Sequence, residues 1–412
     1  MSQVDPEALG ARAYAMIAEL ATISAEPGRL MRLFLTPEHR RAADLVARWM
    51  QAAGLSVSED ALGTLRGRFG NAKRRLLIGS HIDTVIDAGK YDGPLGVIAG
   101  ILAVEPFARA KAKLPFGIDV LAFGDEEGSR FPATMTSSSA CAGVFEPEAL
   151  TVADANGTTL TAALRAYGKI YQDIPAAAYR PQDAAGYVEV HIEQGPVLEQ
   201  KGEPLGIVTG IVGNSRLRVT VTGEAGHAGT VPMSLRRDPL AGAAEMALML
   251  EAIAREHPED GMVGTVGRIE ATPGAVNIIP GRVVFTVDMR SLSDALRLAA
   301  VERFREEARR IAEARGLRVA VDLFHEMATA HCAPALQDQL AASVTALGHN
   351  PIRLPSGAGH DAQVMSRLCP SAMLFVRCRG GISHNQAEFA SVSDMGVAIA
   401  ALIRFIEKFQ PS

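Results

Sequence analysis

Histidine and carboxylate residues stand where four apolar runs of the chain give out. RRLLIGS (74–80) leads into His81 and, two residues on, Asp83; Asp92 follows in YDGPLGV. FGIDVLAFG (116–124) leads into Asp125, Glu126 and Glu127. GYVEVHIEQ (186–194) carries His191, and AMLFVRC (372–378) is followed by His384 in GGISHNQAEF. Nitrogen and oxygen donors of this kind suit divalent zinc, manganese or cobalt better than copper or iron–sulfur chemistry. On an extended chain, residues two apart point the same way, so Asp83 is placed to orient a metal-binding His81. Each signal alone has an ordinary reading: a solvated turn for the acidic run, a satisfied core histidine for His191, a local hydrogen-bonded pair for His81 and Asp83, a turn or cap for Asp92. Convergence favours a metal centre, because open α/β sheets bind ligands at the carboxyl ends of their strands. His39, His257 and His349 lie in helical or loop surroundings and are expected to face solvent.

The elements that must position these residues follow from pattern and punctuation. The four apolar runs read as buried strands. Helical patterns lie between them, around 93–110, 158–167, 335–348 and 392–408. Asp5-Pro6 and Thr36-Pro37 each combine an N-cap residue with proline at the first helical position, and the second of these helices stops near Gly54. The alternation predicts an α/β layer fold with a largely parallel sheet. From about 213 to 328 the rhythm changes. SRLRVTVTGE alternates apolar and polar residues, a helix follows (238–257), then strands near 261–272 and 283–291, a charged helix (293–316) and the strand LRVAVDLFHE. That β-α-β-β-α-β order is the ferredoxin-like split pattern. Residues 213–328 are therefore expected to form a domain inserted into a metal-binding domain made of 1–212 and 329–412.

Composition narrows the function classes. At 412 residues the chain has room for two or three domains. With 48% hydrophobic and 21% charged residues it is globular rather than disordered. A formal charge of −5 gives no positive field for nucleic acid or an anionic membrane. The apolar stretch from Gly93 to Val104 ends at Glu105, short of the roughly 20 residues a membrane helix needs. The opening MSQVDPEALG is acidic where an export signal would be basic. Cys141, Cys332, Cys369 and Cys378 show no zinc-finger or redox spacing and read as reduced thiols of a cytoplasmic protein.

Nine ordered motifs, GSHIDTV, YDGPLGV, GDEEGSRF, HIEQGPVLE, GHAGTVPM, PGAVNIIPG, DMRS, SGAGHDA and GGISHNQAEF, resemble the hydantoinase/carbamoylase branch of the dinuclear metallopeptidase superfamily, over essentially the whole chain. The resemblance implies a zinc-peptidase-like catalytic domain with a mixed, largely parallel sheet and an inserted ferredoxin-like α+β lid and dimerisation domain. It implies two divalent ions per subunit, Zn2+ or Mn2+ with Co2+ or Ni2+ as further options. His81, Asp92 and His191 would hold one ion; Glu127 and His384 would hold the other, with Asp92 bridging. Glu126 would be the general base and Asp83 would steady His81. His227 would stabilise the oxyanion, reaching the site of a neighbouring subunit of a homodimer. Asn277 and Arg290 would hold a substrate carboxylate, and His360 would lie near the substrate or the metals. Asn214, standing where many members carry Gln, would face the ureido pocket. The implied activity is hydrolysis of the carbamoyl or ureido C–N bond of a small carboxylate-bearing N-carbamoyl compound, with release of ammonia and carbon dioxide. Rival readings are a dipeptidase or aminoacylase with the same metals, and a non-catalytic ligand-binding protein on this fold.

Overall fold

The computed structural model describes residues 5–256 and 261–411, so His257 lies outside the described residues. The chain forms two compact units, Met1–Thr209 with His331–Ser412, and Gly210–Ala330. In chain order the first unit begins with α1 (Pro6–Ala21), α2 (Pro37–Ala52), β1 (Ser56–Glu59), β2 (Leu65–Phe69), β3 (Arg75–His81), α3 (Pro94–Arg109), β4 (Gly117–Phe123), α4 (Thr136–Ala142), α5 (Leu160–Ala166), β5 (Ala184–Ile192) and α6 (Val197–Lys201), and β6 (Leu205–Ile211) runs across its boundary at Thr209. The second unit holds β7 (Gly213–Thr222), β8 (Gly226–His227), α7 (Pro239–Arg255), β9 (Val263–Thr272), β10 (Ile278–Ile279), β11 (Arg282–Ser291), α8 (Asp294–Ala314) and β12 (Arg318–Met327). The chain then returns through β13 (Ala330–His331), α9 (Pro334–Thr345), β14 (Ile352–Ser356), α10 (Asp361–Met365), β15 (Ser371–Val376) and α11 (Val392–Lys408).

Both proline-started helices form as their caps dictate. The Asp5 carboxylate accepts the Glu7 and Ala8 N–H groups, and the Thr36 hydroxyl accepts that of His39. The large sheet runs β1-β2-β4-β3-β5-β15-β6-β13, with β14 beside β6. Its four central strands, β4, β3, β5 and β15, are mutually parallel, whereas β1, β2 and β6 pair antiparallel. Every residue of β3, β4, β5 and β15 is buried, which accounts for their continuous apolar runs. Each fully buried Leu or Ile there, such as Leu76 and Ile78, contributes about 1.5–3 kcal/mol. All four parallel strands end at the same edge of the sheet. Ile78 registers with Val188, so His81 and His191, three residues further along each strand, arrive side by side.

The second unit is a four-stranded antiparallel sheet in the order β12-β7-β11-β9. Val283, Phe285, Val287 and Met289 of β11 turn inward onto a core shared with Met246 and Leu250 of α7 and Phe304 of α8. Alternation along β11 leaves Asp288 and Arg290 on the opposite face.

The surface expectation for His39 is wrong. It is fully buried on the face of α2 that also carries Ala42, Ala43, Val46 and Met50. Its Nδ1 lies 2.8 Å from the Tyr167 hydroxyl, and its ring meets Phe34 edge-on. His349 is half-buried. All four cysteines are free and buried. No helix among the described residues is long and apolar enough to cross a membrane.

Candidate metal centre

Eight of the twelve residues given a role by the resemblance belong to the first unit, and six of them gather at the carboxyl edge of its sheet. His81 closes β3, His191 lies one residue from the end of β5, Glu126 and Glu127 follow β4, His384 follows β15, and Asp92 stands just before Gly93, the N-cap of α3. Asp92 sits at the middle. Its Oδ1 is 3.1 Å from His191 Nε2 and 3.7 Å from His81 Nε2, while its Oδ2 is 3.3 Å from His384 Nε2. His384 Nε2 is in turn 3.6 Å from Glu127 Oε2. The carboxylate thus faces two histidines with one oxygen and a third histidine with the other. Glu126 Oε2 lies 3.9 Å from His81 Nε2, and Glu126 groups with His81 and Glu127, not with Asp92.

Asp83 connects two strand ends. Its Oδ1 is 3.3 Å from His81 Nδ1, and its two oxygens accept the backbone N–H groups of Glu126 and Glu127, each at 3.2 Å. Asp125 has a different occupation. It accepts the Thr136 and Ser137 N–H groups and hydroxyls, so it caps α4 instead of facing the histidines. Gly93 is packed against the His81 imidazole. A Cβ there would lie 2.4 Å from the ring, and its φ of +82° disfavours any side chain.

Electrostatics mark this edge as a place for cations. Burial, then crowding by Asp92, pushes Glu127 up to about 7, and burial holds Glu126 well above the usual carboxylate range. Burial opposes the charge on Asp92 as well, but three histidines outweigh it and hold that carboxyl well below its ordinary value. Asp92 raises His384 to about 9. Nε2 of His81, Nε2 of His191 and Oε1 of Glu127 are buried with no hydrogen-bond partner among the described residues. Buried lone pairs left this way are costly unless something else satisfies them. Two overlapping trios, His81–Asp92–His191 and Asp92–Glu127–His384, bring one donor atom from each member within 4.8 Å of the others. The residues fit two divalent ions sharing Asp92.

Sequence reasoning missed the groups that hold Asp92. Gln194 Nε2 donates to Asp92 Oδ2 at 2.8 Å, and the Ser383 hydroxyl donates to the same oxygen at 2.7 Å. Glu388 Oε1 accepts the N–H groups of Tyr91 and Asp92. Gln194 stands in HIEQGP and Ser383 and Glu388 in GGISHNQAEF, so the motifs contained them without indicating their target. His360 is buried beside His191, ring centroids 4.4 Å apart, and its Nε2 bonds the Ser356 hydroxyl. With Glu189 and His191 it forms a further trio. Glu189, however, already accepts from Ser80, Tyr187 and the Ala362 N–H, so those oxygens are satisfied without an ion.

The remaining four residues belong to the second unit and form two pairs. Asn214 and Arg290 face each other across β7 and β11, and Arg290 grips Asp288 through Nε and Nη2 at 3.0 and 2.9 Å. His227 registers with Ile278 across β8 and β10, and the Asn277 carbonyl accepts the Ala228 N–H. Both His227 and Asn277 are exposed.

Residues 77–408 match the model of peptidase family M20/M25/M40. The chain belongs to this family. Among curated relatives of this M20 member is an allantoate deiminase of Arabidopsis thaliana, 42% identical over 96% of this chain and 81% of the relative. An N-carbamoyl-L-amino acid amidohydrolase of Geobacillus stearothermophilus is 41% identical over 95% of this chain and 97% of its own. Among solved structures, an amidase of the hydantoinase/carbamoylase family from Burkholderia multivorans superimposes with a TM-score of 0.89 at 32% identity, covering 98% of this chain and 97% of that one. The M20 protein described here is a hydrolase of the hydantoinase/carbamoylase branch, acting on C–N bonds.

Proposed function

We propose that this enzyme hydrolyses the carbamoyl or ureido C–N bond of a small carboxylate-bearing substrate, an N-carbamoyl-L-amino acid, allantoate or a close analogue, releasing ammonia and carbon dioxide. The observation that carries the reading is the division of labour within Asp92, one oxygen toward His81 and His191 and the other toward His384 and Glu127. The names of the relatives supply the substrate class. When bound, two divalent cations supply Lewis-acid polarisation of the carbonyl and acidify a water.

The chain's own residues do the rest. Glu126, grouped with His81 and Glu127 but not with the shared Asp92, takes a proton from the attacking water and returns it to the leaving nitrogen. Asp83 fixes where Glu126 stands by holding its backbone N–H. His227 donates to the oxygen on which negative charge develops, an effect worth roughly 3 kcal/mol per donor. Arg290 and Asn277 hold the substrate carboxylate, Asn214 faces the ureido group, and His360 steadies the ring of His191 from behind. In this reading residues 213–328 act as a lid, His227 acts across a homodimer, and the protein works in the cytoplasm, where its four thiols stay reduced. The test is an ammonia-release assay over N-carbamoyl amino acids, allantoate, ureidoglycolate and ureidopropionate with manganese, zinc or cobalt. Release of free amino acid from dipeptides or N-acyl amino acids, with no ammonia from any ureido acid, would favour the peptidase alternative and end this proposal.

A further inference from the structure

The oxygens of Asp92 are unequally engaged. Oδ2 accepts from Gln194 Nε2 at 2.8 Å and from the Ser383 hydroxyl at 2.7 Å, the shorter of that hydroxyl's two carboxylate contacts, the other being Glu388 Oε2 at 3.1 Å. Among the described residues, Oδ1 faces the Nε2 atoms of His81 and His191. A carboxylate oxygen has two lone pairs, so two donors on Oδ2 draw off the electron density a cation would use. The Gln194 amide also stands 3.5 Å from His384 Nε2, bringing N–H hydrogens to the side of Asp92 where His384 and Glu127 wait for positive charge. Gln194 and His384 both hold left-handed backbone, φ 56° and 53°, a conformation that non-glycine residues keep only where the surroundings impose it. Exposure runs the same way: the His384 side chain is 50% exposed, against 1% for His81 and His191.

We propose that Gln194 and Ser383 are positioning residues that make the two cation sites unequal, leaving the Glu127–His384 side as the weaker, exchangeable one. This rests on the dinuclear reading of the site but not on any substrate. Removing the amide donor strengthens the weak site and leaves the other alone, which is the opposite of what a purely structural loss would do. Gln194→Met keeps the length of the side chain and discards the donor. Ser383→Ala discards the hydroxyl.

The measurement is a calorimetric titration of chelator-treated enzyme with Mn2+, for wild type, Gln194→Met, Ser383→Ala and the double variant. His384→Ala serves to identify which of the two binding steps is the weak one. Wild type is expected to bind two ions with affinities at least tenfold apart. Gln194→Met is expected to tighten the weaker step by about tenfold, the double variant by more, with the tighter step unmoved. Two steps that are resolved but unchanged in Gln194→Met, a weaker step that becomes weaker still, or both steps moving together would each overturn the inference while leaving the dinuclear site intact. Failure of wild type to bind a second ion would overturn the dinuclear reading itself.

Discussion

Glu388 holds Asp92 by its main chain: Oε1 lies 3.1 Å from the Asp92 N and 2.8 Å from that of Tyr91. The position of the shared carboxylate therefore depends on a residue nearly three hundred positions away. Glu388→Ala should leave two buried N–H groups without a partner. We expect a loss of about 1–3 kcal/mol in unfolding free energy and reduced metal content. Glu388→Gln retains an acceptor oxygen and should recover most of both. Urea unfolding with metal analysis of the two variants decides it. Equal damage from Gln and Ala would mean that the charge matters and the backbone contacts do not.

Glu126 and Glu127 are neighbours with separate tasks. Glu126→Gln is expected to abolish turnover with metal retained, whereas Glu127→Gln loses metal as well, because only Glu127 shares a trio with Asp92 and His384. Elemental analysis of the purified variants beside an activity assay tests this. The opposite pattern of metal retention would reverse the two assignments.

Burial lowers His39 to about 3, with Arg32, Arg40 and Arg130 adding to the effect against Asp83. The unfolded chain's imidazole titrates near 6.5. Below pH 6.5 the unfolded state therefore binds more protons than the native one. Stability falls as pH drops from about 6.5 toward 3, by up to roughly 1.4 kcal/mol per pH unit, and is unaffected by this group above 6.5. His39→Gln should flatten that slope. Urea unfolding at pH 7.5 and 5.5 reads it, and an identical acid loss in wild type and variant would refute the attribution.

Arg290 presents a planar fork that an ammonium cannot imitate, and Asp288 already orients it. Arg290→Lys is expected to lower kcat/KM at least tenfold, about 1.4 kcal/mol, on an N-carbamoyl acid and far less on the matching amide. Equal losses on the two substrates would assign Arg290 to the structure of its sheet.

If His227 serves the opposite subunit, mixing inactive His227→Ala with inactive Glu126→Gln should restore part of the activity, since one site in each mixed dimer keeps both residues. Verified heterodimers without any recovery would count against action across subunits.

The central strands and the residues at their ends were legible because burial on both faces leaves an unbroken apolar run, and a polar residue at its end is conspicuous. SVSE and LRGRF at β1 and β2 gave no such signal, being short, charged and placed at the antiparallel margin of the sheet. Helical surroundings alone do not place His39, because a helix has a buried face as well as a wet one. The spacing of His39 with Ala42, Ala43, Val46 and Met50 carried the correct answer. Gln194, Ser383 and Glu388 act on Asp92 from 102, 291 and 296 positions along the chain, and no local pattern records a contact of that kind.

Gly93 has a bearing on how natural variation in this gene should be interpreted. Its Cα hydrogen points at the imidazole of His81, and the smallest possible side chain would sit 2.4 Å from that ring. A Gly93→Ala allele carries every metal-ligand candidate intact, and a scan for missing histidines or carboxylates would score it as healthy. Geometrically it belongs with alleles that have lost His81, so a census of defective copies should count position 93 among the indispensable ones.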